Sequence, residues 1–217
     1  MLTIKKNNKI IIGVLLAAFA ITAFIGYYAV SENTSFTYFQ FPTNRIQLAS
    51  SFEELEETSD IIIRATVLPD KRTINNVLPD GSYGFGYTLT NLQIAEVFKG
   101  NISENDIILI TEEYFIRPNE KSVIRTQEGY MPANEGEEYI FFLKAYPNEV
   151  EEFAGMYFPI DLEYGKYSTA LNNSVLRSRS EIPIDSLQIT SGTTSKERYI
   201  DWANQVSANY STWRDNE

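Results

Sequence analysis

The apolar runs around which the chain is organised lie between residues 87 and 143. The run 87–98 is the longest strand-like stretch, with Leu92 and Ile94 on one face and Ala95 and Val97 on the other. That change of phase predicts a bulge, or burial on both faces, near the turn at Lys99 and Gly100. Residues 107–110 return as a short apolar strand, and 139–143 supply a third that is apolar throughout, as central strands are. Together they predict the core of a small β-barrel or sandwich. Ahead of them, 61–68 is a β-branched strand. Behind them, 155–158 and 165–169 read as a final hairpin or two edge strands.

Two stretches switch to helical spacing. Ser51-Phe-Glu-Glu54 fits a capping box, with Ser51 capping the first amides and Glu54 reaching back, and predicts a short helix over 52–58. Thr194-Ser-Lys-Glu197 repeats the box, and Tyr199, Trp202, Ala203, Val206, Tyr210 and Trp213 then recur on one face. This predicts an amphipathic C-terminal helix docked on the barrel, with a partner-binding or membrane-lying helix as the alternative. The polar face lacks the lysine richness of interfacial helices.

At the other end, Lys5, Lys6 and Lys9 precede an uncharged apolar run over residues 10–30, 21 residues long. About 20 residues are needed to cross a bilayer as a helix. Tyr27 and Tyr28 suit the far interface, and the lysines favour a cytoplasmic N-terminus. A cleaved signal peptide is the competing reading, but its apolar region is normally about 7–15 residues long. We therefore expect an uncleaved anchor. Both readings export the rest of the chain.

Composition narrows the chemistry. With 43% hydrophobic residues, 14 Tyr and 13 Phe, the chain can build a β-rich core. It holds neither Cys nor His. Disulfides, thiolate chemistry and the Ser-His-Asp triad are excluded, and the commonest zinc ligand is missing. Net charge is −11; setting aside the three lysines of residues 1–30 leaves 15 basic against 29 acidic residues, a net of −14. Such a surface repels nucleic acid.

Two connections stand out. Residues 69–86 contain the turn Pro79-Asp80-Gly81 and the set Gly81, Gly84 and Gly86, which lacks the strand–loop–helix context of a phosphate cradle. Residues 112–137 form a long polar connection with a strand expected at 122–126, and connections of this length are often functional. These two segments are where a binding surface is expected. The acidic run Glu53, Glu54, Glu56, Glu57 and Asp60 lacks the ligand alternation and the glycine of a calcium loop and reads as a solvated face.

Three segments, 51–63, 87–100 and 136–143, carry a resemblance. A short helix feeds a strand, a strand ends in Lys99-Gly100, and Gly136-Glu-Glu-Tyr-Ile-Phe-Phe-Leu143 forms another. The pattern resembles that of uncharacterised exported bacterial proteins of Gram-positive type, and is similar to the OB-type barrel of netrin and tissue-inhibitor-of-metalloproteinase modules. It covers about residues 50–170. The stapling cysteines of those modules are missing, and 112–137 shows no clear helix where such barrels often have one. The resemblance implies an OB-like small barrel; with the two helices and the apolar run read above, the expected fold is mainly β, an OB-like small barrel with a short N-terminal helix and a C-terminal amphipathic helix, preceded by one transmembrane helix. The expected organisation is a cytoplasmic basic segment (1–9), a transmembrane signal anchor (10–30), a spacer or docked edge strand (31–49), the OB-like domain (50–192) and the C-terminal helix (193–217).

For function, the leading expectation is a membrane-anchored extracytoplasmic binding module, with a protein or cell-envelope partner, no cofactor and no nucleic acid. The first alternative is a carboxylate-based hydrolase, whose chemistry needs a pair of carboxyls; Glu112, Glu113, Glu135 and Glu137 are its nominal candidates. The second is a structural or assembly protein whose aromatic C-terminal helix makes the contact. No residue is assigned a catalytic, cofactor-binding or metal-binding role from the sequence.

Overall fold

A computed structural model of the chain describes residues 37–41, 49–127, 130–170 and 196–210. The expected anchor at 10–30, the start of the second capping box and Trp213 lie outside these residues. Among the described residues, no helix is long and apolar enough to cross a membrane.

Among the described residues the fold is mainly β, with a closed barrel and two α-helices. Five strands form the ring: β2 (Ile61–Val67), β4 (Tyr83–Lys99), β5 (Ile107–Glu112), β8 (Glu138–Ala145) and β9 (Tyr157–Pro159). They close in the order β8-β2-β4-β5-β9-β8. Every contact in the ring is antiparallel except β5 with β9, where Ile110 pairs with Tyr157 in parallel. A further strand, β10 (Lys166–Ser168), pairs with Tyr139–Phe141 of β8, on the same edge as β9. Of the expected alternatives, a final hairpin or two edge strands, the hairpin is not formed, and β10 is an edge strand. β9 closes the barrel and β10 extends the sheet, because β8 is long enough to pair with both.

The strand expected over 61–68 continues after an interruption. β3 (Arg72–Val77) follows β2 along the same edge of β4, and residues 68–71 stand opposite only Thr90 and Asn91. Leu68 N–H still donates to Asn91 O at 2.9 Å, so the excursion is an enlarged bulge within one long strand. β4 itself is 17 residues long, and with β3 it forms a hairpin that projects beyond the ring. Across it lies a three-stranded sheet of β1 (Thr37–Phe41), β7 (Val123–Gln127) and β6 (Tyr114–Ile116), in that order. Part of the expected spacer is therefore a strand, and the 112–137 connection contains the β6–β7 hairpin.

Burial on two faces explains why β2 and β8 are apolar without alternation. Ile61, Ile63, Ala65 and Val67 point into the barrel with Tyr139, Phe141 and Leu143. Ile62, Ile140 and Phe142 point outward under α1 (Phe52–Thr58) and α2 (Lys196–Tyr210). Ser51 Oγ caps α1 by accepting from Glu54 N–H at 3.2 Å, whereas the Glu54 carboxylate turns back to Ser50 N–H and Oγ, one residue earlier than the capping box predicts. The expected phase change in β4 is met by register shifts opposite Ile62–Ala65. Gly100 closes the turn at φ 110°, where an added Cβ would lie 2.4 Å from Ile61 Cγ2. Only glycine fits.

Candidate functional site

Two clusters of polar and aromatic side chains flank β5, one on each face. The inner one centres on Glu112. Ile110 faces the barrel core, and two residues on, Glu112 points the same way. Its side chain is fully buried at one end of the barrel. The bulge at 68–71 brings in Lys71, whose Nζ donates to Glu112 Oε1 at 2.7 Å, and Thr90 Oγ1 donates to the same oxygen at 2.6 Å. Oε2 accepts from Tyr130 O–H and from Ala133 N–H, each at 2.8 Å. Lys71 also donates to Ala133 O. Burial pushes the Glu112 carboxyl up, but the Lys71 ammonium with the Thr90 and Ala133 donors outweighs it and holds the group below the usual carboxylate range. Beside this pair Lys166 is buried, its Nζ 5.2 Å and 5.4 Å from the ring centres of Tyr130 and Tyr139. Both oxygens of Glu112 are engaged and enclosed, so the cluster locks the 130–137 connection across the barrel end. It offers no surface to a substrate.

The outer face carries an open groove of about 680 Å³. Its floor is the β3–β4 hairpin, where Ile74 and Tyr87 are register partners and Phe85 lies on the same face two residues earlier. Its far wall is the β8–β9 connection. Tyr146 stacks on Phe153 with ring centres 4.6 Å apart, and Phe153 meets Tyr87 edge-on at 5.3 Å. Two hydrogen bonds fix this wall. Tyr146 O–H and Thr111 Oγ1 are 2.7 Å apart, and Tyr87 O–H donates to Glu152 Oε1 at 2.7 Å. Burial and the Glu152 carboxylate, against the opposing pull of Arg72, push the Tyr87 hydroxyl up to about 12, so it stays a donor. Phe85, 62% exposed, and Val77, 57% exposed, present apolar surface at the rim. Glu113 and Glu152 are the lining acids, and no lysine or arginine is among the described lining residues.

No protein-family model matches the chain, and no curated protein matches it in sequence.

The four nominal carboxylates therefore separate. Glu112 is sealed inside, Glu113 lines the groove, Glu135 is exposed, and Glu137 accepts from Tyr139 O–H at 2.9 Å. Of the two segments expected to form a surface, 69–86 supplies the groove floor, whereas 112–137 contributes Glu113 and otherwise builds the small sheet and the barrel plug. The wall from Tyr146 to Phe153 escaped the sequence reading. Its clue is three aromatics (Tyr146, Phe153, Phe158) around a turn rich in acids. At Gly86 an added Cβ would lie 2.3 Å from Ile74 O and 3.0 Å from the Phe115 side chain, so this glycine permits close packing of β3 and β6 on β4.

Proposed function

We propose that this chain is a membrane-anchored, extracytoplasmic binding module of OB type, and that the aromatic groove is its binding site. The strand order supports the OB reading. Taken along the chain, the five ring strands pair first with second, second with third, third with fifth and fifth with fourth, and fourth returns to first. The β6–β7 hairpin and the 130–137 plug stand where an OB barrel often has a helix. The observation that carries the binding reading is the groove's position. It lies on the second and third ring strands, between the first–second and fourth–fifth connections, which is where OB barrels hold their ligands. The run at 10–30 supports the anchor, and the acidic remainder disfavours nucleic acid as the ligand.

The hydrolase alternative keeps one point of support, the presence of Glu113 and Glu152 on the same groove. Glu152 already accepts from Tyr87, which suits a fixed recognition group better than a general acid. The assembly alternative loses ground, since Tyr199 and Trp202 are spent on this chain's own core.

Photo-crosslinking in intact cells tests the module and its location together. Benzoylphenylalanine in place of Val77 should yield an adduct that protease added outside the cells removes, while the same residue at exposed Glu104, away from the groove, should yield none. Equal labelling at both positions, or adducts shielded from external protease, would sink the proposal.

A further inference from the structure

Among the described lining residues of the groove, none belongs to β1, β6 or β7. The small sheet has chemistry of its own. β1 is its edge strand and, among the described residues, pairs with β7 alone. Tyr38 is 39% exposed and Phe39 49% exposed. Successive strand residues point to opposite faces, so neither face of β1 is fully covered. The Arg125 guanidinium of β7 lies 5.0 Å from the Phe39 ring centre. Charge here runs against the rest of the chain. Over 114–127, which hold β6, β7 and their turn, Arg117, Lys121 and Arg125 face one acid, Glu120, for a net of +2, whereas everything after residue 30 sums to −14. Glu120 pairs with both arginines, and Lys121 is exposed at the turn. Exposed aromatic rings beside net positive charge are the side chains of a membrane interface, the rings for the headgroup layer and the cations for anionic lipid.

Chain length sets the lipid within reach. On the reading of 10–30 as an anchor, on which this step rests, only residues 31–36 separate the bilayer from β1. A fully extended chain crosses such a gap only up to about 25 Å. From exposure, charge and tether together we infer that the small sheet is the membrane-facing side of the domain. Tyr38 and Phe39 sit in the headgroup layer of the anchor's own bilayer, with the basic β6–β7 turn against its anionic lipids. A soluble partner would have to compete for this face with a bilayer that the tether never lets go.

The chain holds no cysteine, so a single introduced one carries a fluorophore to a chosen site. The full chain is placed in lipid nanodiscs, and quenching by lipid with a nitroxide headgroup is read at two exposed positions. These are Ser122→Cys, in the β6–β7 turn, and Glu104→Cys, beyond the far end of β4. With phosphatidylglycerol in the disc, the label at 122 should be quenched several-fold more than the label at 104. Y38S/F39S should lose most of that difference with the far-ultraviolet circular dichroism unchanged. K121E should reduce it in anionic discs and leave it unchanged in zwitterionic ones. Equal quenching at the two sites, weak or strong, overturns this inference while the anchor stands. A difference that survives Y38S/F39S overturns the aromatic contact, and one indifferent to K121E overturns the part given to charge. Benzoylphenylalanine in place of Phe39 should crosslink lipid in intact cells; adducts with protein alone would give the face to a protein partner instead. Failure of the chain to enter the discs overturns the anchor reading and this inference with it.

Discussion

Glu112 shows how a single residue can look catalytic in the sequence and be architectural in the fold. A carboxylate withdrawn from water is tolerated only when paired and hydrogen-bonded, and Lys71, Thr90, Tyr130 and Ala133 supply those partners from three separate parts of the chain. Removing one member of such a pair leaves the other buried and uncompensated. Glu112→Ala is therefore expected to lower stability by about 3–5 kcal/mol, whereas Lys71→Met with Glu112→Leu should recover most of that loss. Urea unfolding at neutral pH measures both; a loss under about 1 kcal/mol for Glu112→Ala would contradict the architectural role. The pH dependence has a definite sign. The folded carboxyl lies below its ordinary value of 4.5, so its contribution is complete above the unfolded value and disappears as pH falls through the folded one.

At the scale of elements, the parts legible in the sequence were those whose signal is local. The face periodicity of β4, the β-branched run of β2, the apolar run of β8 and the cap of α1 each depend on neighbours in the chain. The closing strand β9 is three residues long and pairs with β5 in parallel, a contact that no short pattern encodes. The bulge at 68–71 matters because of Glu112, 41 residues away from Lys71, and the groove wall matters because Tyr87 meets Glu152, 65 residues away. Such pairings follow from ring closure and are invisible to a window of ten residues. The helix α2 lies between these cases: its stripe was readable, and the fold shows what the stripe covers. Trp202 packs against Phe52 at 6.3 Å and Tyr164 at 4.9 Å, and Tyr199 stacks on Tyr167 at 4.9 Å while donating to Lys166 O. Trp202→Ala should thus destabilise the whole domain by about 3–5 kcal/mol. Unchanged stability in thermal melts would instead mean that the helix is free to serve a partner.

For the whole molecule, stability should follow pH in a dome whose alkaline side is set by two opposed kinds of buried group. Burial depresses Lys166 to about 8 from its ordinary value of 10.5, with Glu112, Glu163 and Glu137 opposing that shift and Lys71 adding to it. The native state then binds fewer protons than the unfolded chain between those values, so stability rises with pH across about 8 to 10, by an amount on the order of 2 kcal/mol. Buried tyrosines act the other way. Burial, joined by nearby acids or tyrosines, holds the Tyr130, Tyr167 and Tyr199 hydroxyls above their ordinary value of 10.0. The unfolded chain loses those protons first, and stability falls once pH passes the unfolded tyrosine value. The maximum should sit near pH 9–10, above the range usual for globular domains. Lys166→Met isolates the rising limb. The variant should be at least as stable as the parent at pH 7, and its stability should be flat between about 8 and 10 before the tyrosine limb sets in. A parent profile already flat across that interval, or a Lys166→Met variant that keeps the rise, would show that the lysine is not what titrates there. The absence of histidine makes the measurement clean, because no imidazole of this chain ionises on the approach from neutral pH.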